Sequence, residues 1–177
     1  LHVRSRRQRQ MCIRDRGYTV LEYKSIVRRL RKVRPDICLS SDFIVGFPGE
    51  TEEDFNKTLS LVKELAFDLS FVFIYSSRPG TPAADLTDNV SHESKVARLE
   101  ALNRVLEEET LRINQSMAGT IQRTLVEGIS KKDPGELQAR TANNRVVNFK
   151  GPVDLLNRMV DIKISEVHTF SLRGELV

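Results

Sequence analysis

Ser40 to Thr51 reads Ser-Ser-Asp-Phe-Ile-Val-Gly-Phe-Pro-Gly-Glu-Thr, and no other stretch limits the possible folds as tightly. The β-branched and aromatic run Phe43-Ile44-Val45 stops at Gly46-Phe47-Pro48-Gly49, and a helix signal begins at Thr51. Strand, tight turn and helix start in such close succession are the grammar of a β/α unit. In open α/β sheets and barrels, ligands gather at the C-terminal ends of strands, so chemistry is expected at this turn. Gly46 and Gly49 allow positive φ and close approach, and Pro48 stiffens the turn. The first amides of the following helix point back at the strand end. From spacing alone, a turn that only has to be tight is the better reading, because short Gly/Pro motifs recur by chance.

The chain before and after this turn keeps the same grammar. Thr19-Val-Leu-Glu22 is a capping box that starts a helix ending at Arg34, before Pro35. Tyr23, Ile26, Val27, Leu30 and Val33 form its apolar stripe, and Arg28, Arg29, Arg31 and Lys32 its solvated face. Ile37 to Val45 is read as a strand, with Cys38 as a small buried residue and Asp42 as a hydrogen-bonding partner of a neighbouring loop or a group facing ligand. A helix over Thr51 to Ala66 carries Phe55, Leu59, Val62 and Leu65 on one face, and Glu52, Glu53 and Asp54 at its positive end. Phe71 to Tyr75 is apolar throughout, as in a parallel strand buried on both faces. The loop Arg78-Pro-Gly-Thr-Pro-Ala83 follows, then a helix capped by Ser91 and running to about Met117. Its stripe is Val96, Leu99, Leu102, Leu106 and Ile113; Glu107 to Glu109 point in different directions and form no metal site.

Near Gly119 the period changes from helical to that of short strands: Thr120–Glu127, Leu137–Thr141, Arg145–Phe149, Met159–Glu166 and Thr169–Leu176. Turn signals at Asp133-Pro-Gly135, Asn143-Asn144 and Gly151-Pro152 separate them, which predicts a small antiparallel OB-like β-barrel. Such barrels bind nucleic acid through basic side chains. Lys131, Lys132, Arg140, Arg145, Lys150 and Arg173 are the candidates here, with Asn143, Asn144 and Asn148 as hydrogen-bonding partners. The competing reading is a charge-balanced barrel surface, since residues 118–177 carry nine basic and seven acidic side chains. His92 and His168 have no evident role.

Charge separates the first residues from the rest. Residues 1–16 hold six arginines and one aspartate, so the overall charge of +4 leaves residues 17–177 at −1. As a sequence, the tail reads as a nucleic-acid-binding arm, as a charged end without function, or as non-native sequence joined at Arg16-Gly17; Met11-Cys-Ile-Arg-Asp-Arg16 resembles translated transposon-end sequence and favours the last. With 40% hydrophobic and 29% charged residues, the composition is that of a soluble globular protein. No apolar run has membrane-spanning length and no secretory signal is visible. Cys12 and Cys38 are the only cysteines, which argues against a disulfide framework and for a reducing, cytoplasmic setting.

Three separated motifs resemble one family. Asp42 to Thr51 with Asp54-Phe55 resembles a late barrel strand of the radical S-adenosylmethionine methylthiotransferases. Phe73-Ile-Tyr-Ser-Ser-Arg-Pro-Gly-Thr-Pro-Ala83 resembles its next strand and loop. Arg140-Thr-Ala-Asn-Asn-Arg-Val-Val-Asn-Phe149 with Ser171 to Leu176 resembles the C-terminal TRAM domain. The resemblance runs from about Arg16 to Val177 and is nearest to the branch that modifies isopentenyl-adenosine beside the tRNA anticodon. Sister branches act on threonylcarbamoyl-adenosine or on a ribosomal protein.

The resemblance implies an α/β fold: a partial (β/α) radical SAM barrel over residues 17–117, then the TRAM barrel over 118–177, behind a non-native tail over 1–16. It implies an adenosylmethionine pocket that includes Gly46, Phe47, Pro48, Gly49, Glu50 and Tyr75, with Arg78 near cofactor or substrate, and tRNA as the partner of the barrel. It also implies 4Fe-4S clusters, whose cysteine motifs this sequence lacks. The expectation is therefore the C-terminal part of an enzyme, inactive alone, monomeric, with no membrane association. The alternative from another class is a non-catalytic RNA-binding module.

Overall fold

The computed structural model describes residues 18–131 and 133–177. The tail over residues 1–16, Cys12 within it, and Lys132 lie outside the described residues. The chain divides into two compact units, one reaching Leu106 and the other spanning Glu107–Val177.

In the first unit, α1 (Val20–Val33) opens on the expected capping box: Glu22 N–H donates to the Thr19 hydroxyl and the Glu22 carboxylate accepts from Thr19 N–H. β1 (Asp42–Val45) pairs in parallel with β2 (Phe71–Ile74), from Asp42 opposite Phe71 to Val45 opposite Ile74. Between them runs α2 (Glu52–Leu65), which also starts on a capping box: Asp54 N–H donates to the Thr51 hydroxyl at 3.1 Å, and the Asp54 carboxylate accepts from Thr51 N–H at 3.3 Å. Asp54 thus closes the helix start with a directed bond, beyond the dipole role read from its position. Such a cap is worth about 1 kcal/mol.

Val27, Val45, Phe55, Val62, Leu65, Phe67, Leu102, Val105 and Leu106 form the core of this unit. Leu102, Val105 and Leu106 come from α3 (His92–Ser116), whose start is capped as expected by Ser91, accepting from Ser94 N–H at 3.2 Å. Phe43 meets Phe67 edge-on at 5.3 Å.

Three expectations change here. β1 is four residues long, so Cys38 lies before it, half-buried, and Asp42 is exposed at its start. The α1 stripe is covered only at Val27 and partly at Tyr23; Ile26, Leu30 and Val33 are exposed. β2 is not buried on both faces either, since Phe71 is 67% and Phe73 52% exposed while Val72 and Ile74 pack inward. A parallel strand written for two covered faces has only one covered among the described residues.

The second unit is a closed barrel ordered β3-β4-β5-β7-β6, formed by β3 (Ile121–Ile129), β4 (Leu137–Thr141), β5 (Val146–Phe149), β6 (Met159–Val167) and β7 (Leu172–Leu176). All neighbours are antiparallel except β5 and β7, which pair in parallel with Val147 opposite Leu172. Period-two alternation sends Val126, Leu137, Ala139, Val147, Phe149, Val160, Ile162, Ile164 and Leu172 inward, where Met117 joins them. The change from helix to strands falls between Ser116 and Ile121, as the change of period predicts.

Gly174 matters because strands β6 and β7 approach closely there. A Cβ at this position would lie 2.4 Å from Ile162 Cγ2 and 2.6 Å from the Lys163 carbonyl oxygen. The backbone cannot yield as a flexible side chain would. Gly174→Ala is expected to cost the barrel about 1–3 kcal/mol through overpacking, read from the denaturant midpoint by far-UV circular dichroism; an unchanged midpoint would contradict the close packing. Amide hydrogen exchange is expected to protect Val147 and Ile162, inside the closed barrel, more strongly than Phe73, on the open-faced two-stranded sheet.

Candidate functional site

Two groups of candidate residues stand in separate units. The first is the turn after β1. Gly46 and Gly49 have φ of 69° and 80°, as the sequence reading requires. What fills the space beside Gly46 is the chain itself: a Cβ there would fall 2.3 Å from Lys95 Cγ. The amide groups of the turn are engaged too. Gly46 N–H donates to Glu50 Oε2 at 2.7 Å, Gly49 N–H to Asn89 Oδ1 at 2.8 Å, and Glu50 N–H to the Phe47 carbonyl at 2.8 Å.

The Glu50 carboxylate is engaged within the protein. Its carboxylate, 9% exposed, is held by the Gly46 amide and by Arg98 Nη1 at 2.8 Å, and Arg98 is 10% exposed. Arg98 also donates to the Glu50 carbonyl at 3.1 Å and to Glu52 at 3.3 Å. Three residues before it on α3, Lys95 pairs with Asp88 at 2.5 Å and lies 5.8 Å over the Tyr75 ring. That contact holds the Asp88 carboxyl below its usual range, chiefly through the hydrogen bond from Lys95.

Tyr75 donates its hydroxyl proton to the Ala83 carbonyl at 2.9 Å and meets the Phe47 ring edge-on at 5.1 Å. Pro48 is buried, Phe47 and Tyr75 are half-buried, and Arg78 is exposed. A ligand at this turn would meet the rims of Phe47 and Tyr75, because the polar groups of Gly46, Gly49 and Glu50 serve the turn. The residues present do not fit an iron–sulfur cluster: a 4Fe-4S cluster takes four thiolates and the sequence has two cysteines. Among the described residues, no group of three or more His, Cys, Asp or Glu could hold a metal ion.

The second group is on the barrel, and the structure splits it. Lys131 and Lys150, both exposed, flank the end where Leu137 pairs with Ile129 and Phe149. Arg173 extends outward near this end, opposite Asn148 and 3.4 Å from Glu136. Asn143 and Asn144 form the β4–β5 turn at the opposite end of those strands. Asn144 takes the left-handed conformation at φ 67°, and Asn143 accepts from the Thr141 hydroxyl. Arg140 lies near them, donating to Glu127 at 2.6 Å and to Asn144 Oδ1 at 3.1 Å. This bond from Arg140 is the main reason the Glu127 carboxyl titrates below its usual range.

Arg145 departs from the expected surface. It is 1% exposed and so offers no charge to a phosphate in this structure. The signal was present in the alternation: Arg145, Val147 and Phe149 share a parity, and all three are buried. Lys95 and Arg98 were missed for a similar reason. They fall at helical spacing with Leu99, Leu102 and Leu106, so their side chains turn to the packed face of α3.

The Glu50–Arg98 pair yields the prediction for this site. Arg98→Met, which strands a buried carboxylate, is expected to destabilise the first unit by about 3–5 kcal/mol. Loss of the exposed Lys57–Glu53 pair by Lys57→Met should cost about 0–1 kcal/mol. Equal midpoints in denaturant for the two variants would remove the brace from the account.

Residues 115–177 match the TRAM domain family. Over all of its 177 residues the chain is 68% identical to a tRNA-2-methylthio-N(6)-dimethylallyladenosine synthase of Neisseria gonorrhoeae (strain NCCP11945), of which it covers 40%. Proteins of the same name in Chromobacterium violaceum and Burkholderia cenocepacia (strain HI2424) are 62% and 58% identical over 99% and 92% of the chain, which covers 39% and 36% of them. The chain thus spans about 40% of the length of the curated relatives it matches. The similarity to proteins of this name thus runs the length of the chain, and at its C-terminal end it coincides with the TRAM match.

Proposed function

We propose that this chain is the substrate-holding and pocket-closing portion of a tRNA methylthiotransferase that places a methylthio group on isopentenyl-adenosine beside the anticodon. The observation that carries the reading is the 68% identity to a synthase of that name over the entire chain. In the whole protein, adenosylmethionine and 4Fe-4S clusters supply the radical chemistry and the sulfur transfer. This chain lacks the thiolates for a cluster, so alone it binds and positions and does not catalyse. The partner is tRNA, the working state a monomer, and the compartment the cytoplasm. No helix among the described residues is long and apolar enough to cross a membrane.

Each unit has its share. At the turn, Phe47 and Tyr75 contact adenosylmethionine through their exposed rims, while Gly46, Pro48, Gly49 and Glu50 hold the shape that lets them do so. On the barrel, Lys131, Lys150 and Arg173 meet phosphates at one end, and Lys132 is a further basic candidate from the sequence alone. Arg140, Asn143 and Asn144 contact RNA at the other end. Arg145, buried, is not part of this surface.

The test is salt-dependent binding of the whole chain to unmodified tRNA. Binding is expected to weaken as salt rises, and Lys131→Gln with Lys150→Gln and Arg173→Gln should lower the log–log slope by about 2–3. Absence of binding by the unaltered chain, or a slope that the triple variant leaves unchanged, would overturn the assignment of RNA to the barrel.

A further inference from the structure

The outer face of the barrel holds a feature that the basic residues do not explain. Arg140 on β4, Leu125 on β3 and Met159 on β6 are direct cross-strand neighbours and form one row across three strands. Leu125 is 41% and Met159 49% exposed, where an outward-facing strand position ordinarily carries a polar side chain. Together with Arg123, Glu127 and Ala142 they line a groove of about 260 Å³, just under the ~300 Å³ at which drug-sized pockets begin.

The charged walls identify the occupant. Arg123 donates to Asp161 at 3.0 Å, and Arg140 to Glu127 at 2.6 Å, so each cation already has a carboxylate from its own sheet. These pairs are closer than the 3.4 Å between Arg173 and Glu136, and a phosphate gains least from the cations neutralised most directly. Arg140 is fixed further by Asn144, which accepts from Nη1 at 3.1 Å, so its Nε and Nη1 donors are both engaged in the guanidinium plane. What a pinned guanidinium still offers is its flat face, which stacks on planar π systems. An apolar floor, flat cationic walls and room for a single small ring system suit a base that has left its stack, the form in which single-stranded loops are recognised.

We propose that this groove receives one unstacked nucleobase of a single-stranded RNA loop, lying on Leu125 and Met159 between Arg123 and Arg140. The inference rests on the reading of the barrel as an RNA-binding domain and adds a second mode of contact to it. Lys131, Lys150 and Arg173 hold backbone phosphates, while the groove holds a base through contacts that salt does not screen. Glu127 and Asp161 act as positioning residues, since they fix the guanidinium planes.

The experiment uses the whole chain and a short RNA hairpin with a single 2-aminopurine placed at successive loop positions. At one position the fluorescence should change on binding. Leu125→Ser and Met159→Gln should abolish that change and weaken binding on the order of tenfold, with the salt slope unaltered. Met159→Leu should retain both signals. Both sites are partly exposed, and far-UV circular dichroism checks that the variants fold. The proposal is overturned if the unaltered chain binds with a salt-dependent affinity that neither polar variant changes. It is equally overturned if those variants alter only self-association in sedimentation, which would make the groove a protein contact. Failure of the unaltered chain to bind the hairpin at any salt would sink the RNA reading itself.

Discussion

The parallel pairing of β5 with β7 is the contact on which the barrel depends. Four of the five strand contacts are antiparallel, and this one closes the sheet on itself. Once Val147 is opposite Leu172, no strand edge is left unpaired, and every position becomes either interior or exterior. That division decides which charged residues reach solvent. It puts Arg145 at the parity of the inward Val147 and Phe149, and it turns Arg140, Arg173 and Lys150 out. It also brings β6 beside β3, so that Met159, distant in sequence, completes a row with Leu125 and Arg140.

The first unit is organised by charge in a different way. A Gly-Phe-Pro-Gly turn has few side chains of its own with which to define a shape. Here the definition comes from α3, whose Arg98 grips Glu50 and whose Lys95 fills the space beside Gly46 and ties down Asp88. Asn89 adds a bond to the Gly49 amide. The loops after β1 and β2 are thereby held against the same stretch of helix. A turn built this way has a preset outline, and the cost of ordering it is met in folding.

Much of this was legible in the sequence. The Thr19/Glu22 capping box, the Ser91 cap, the β/α grammar of Ser40 to Thr51 and the change of period near Gly119 each depend on residues close together in the chain, and each appears in the structure. The five barrel strands were found within a few residues of their observed limits, apart from the late start of β7 at Leu172. The role of Glu50 was not legible, because its partner is forty-eight residues away on α3. Nor was the exposure of Phe71 and Phe73. An apolar strand reads the same whether its second face is covered or open, and only neighbouring elements decide which.

Local chemistry in the sequence determined where helices and strands begin, which turns need glycine, and which family motifs the chain carries, because those properties act over a few bonds. Tertiary structure alone decided which charges are available. Burial and pairing are properties of surfaces brought together, so Arg98 and Glu50 became a brace, Arg145 became an interior residue, and Leu125 and Met159 became a shared groove. Each of these assignments turns on a partner that the order of residues does not name.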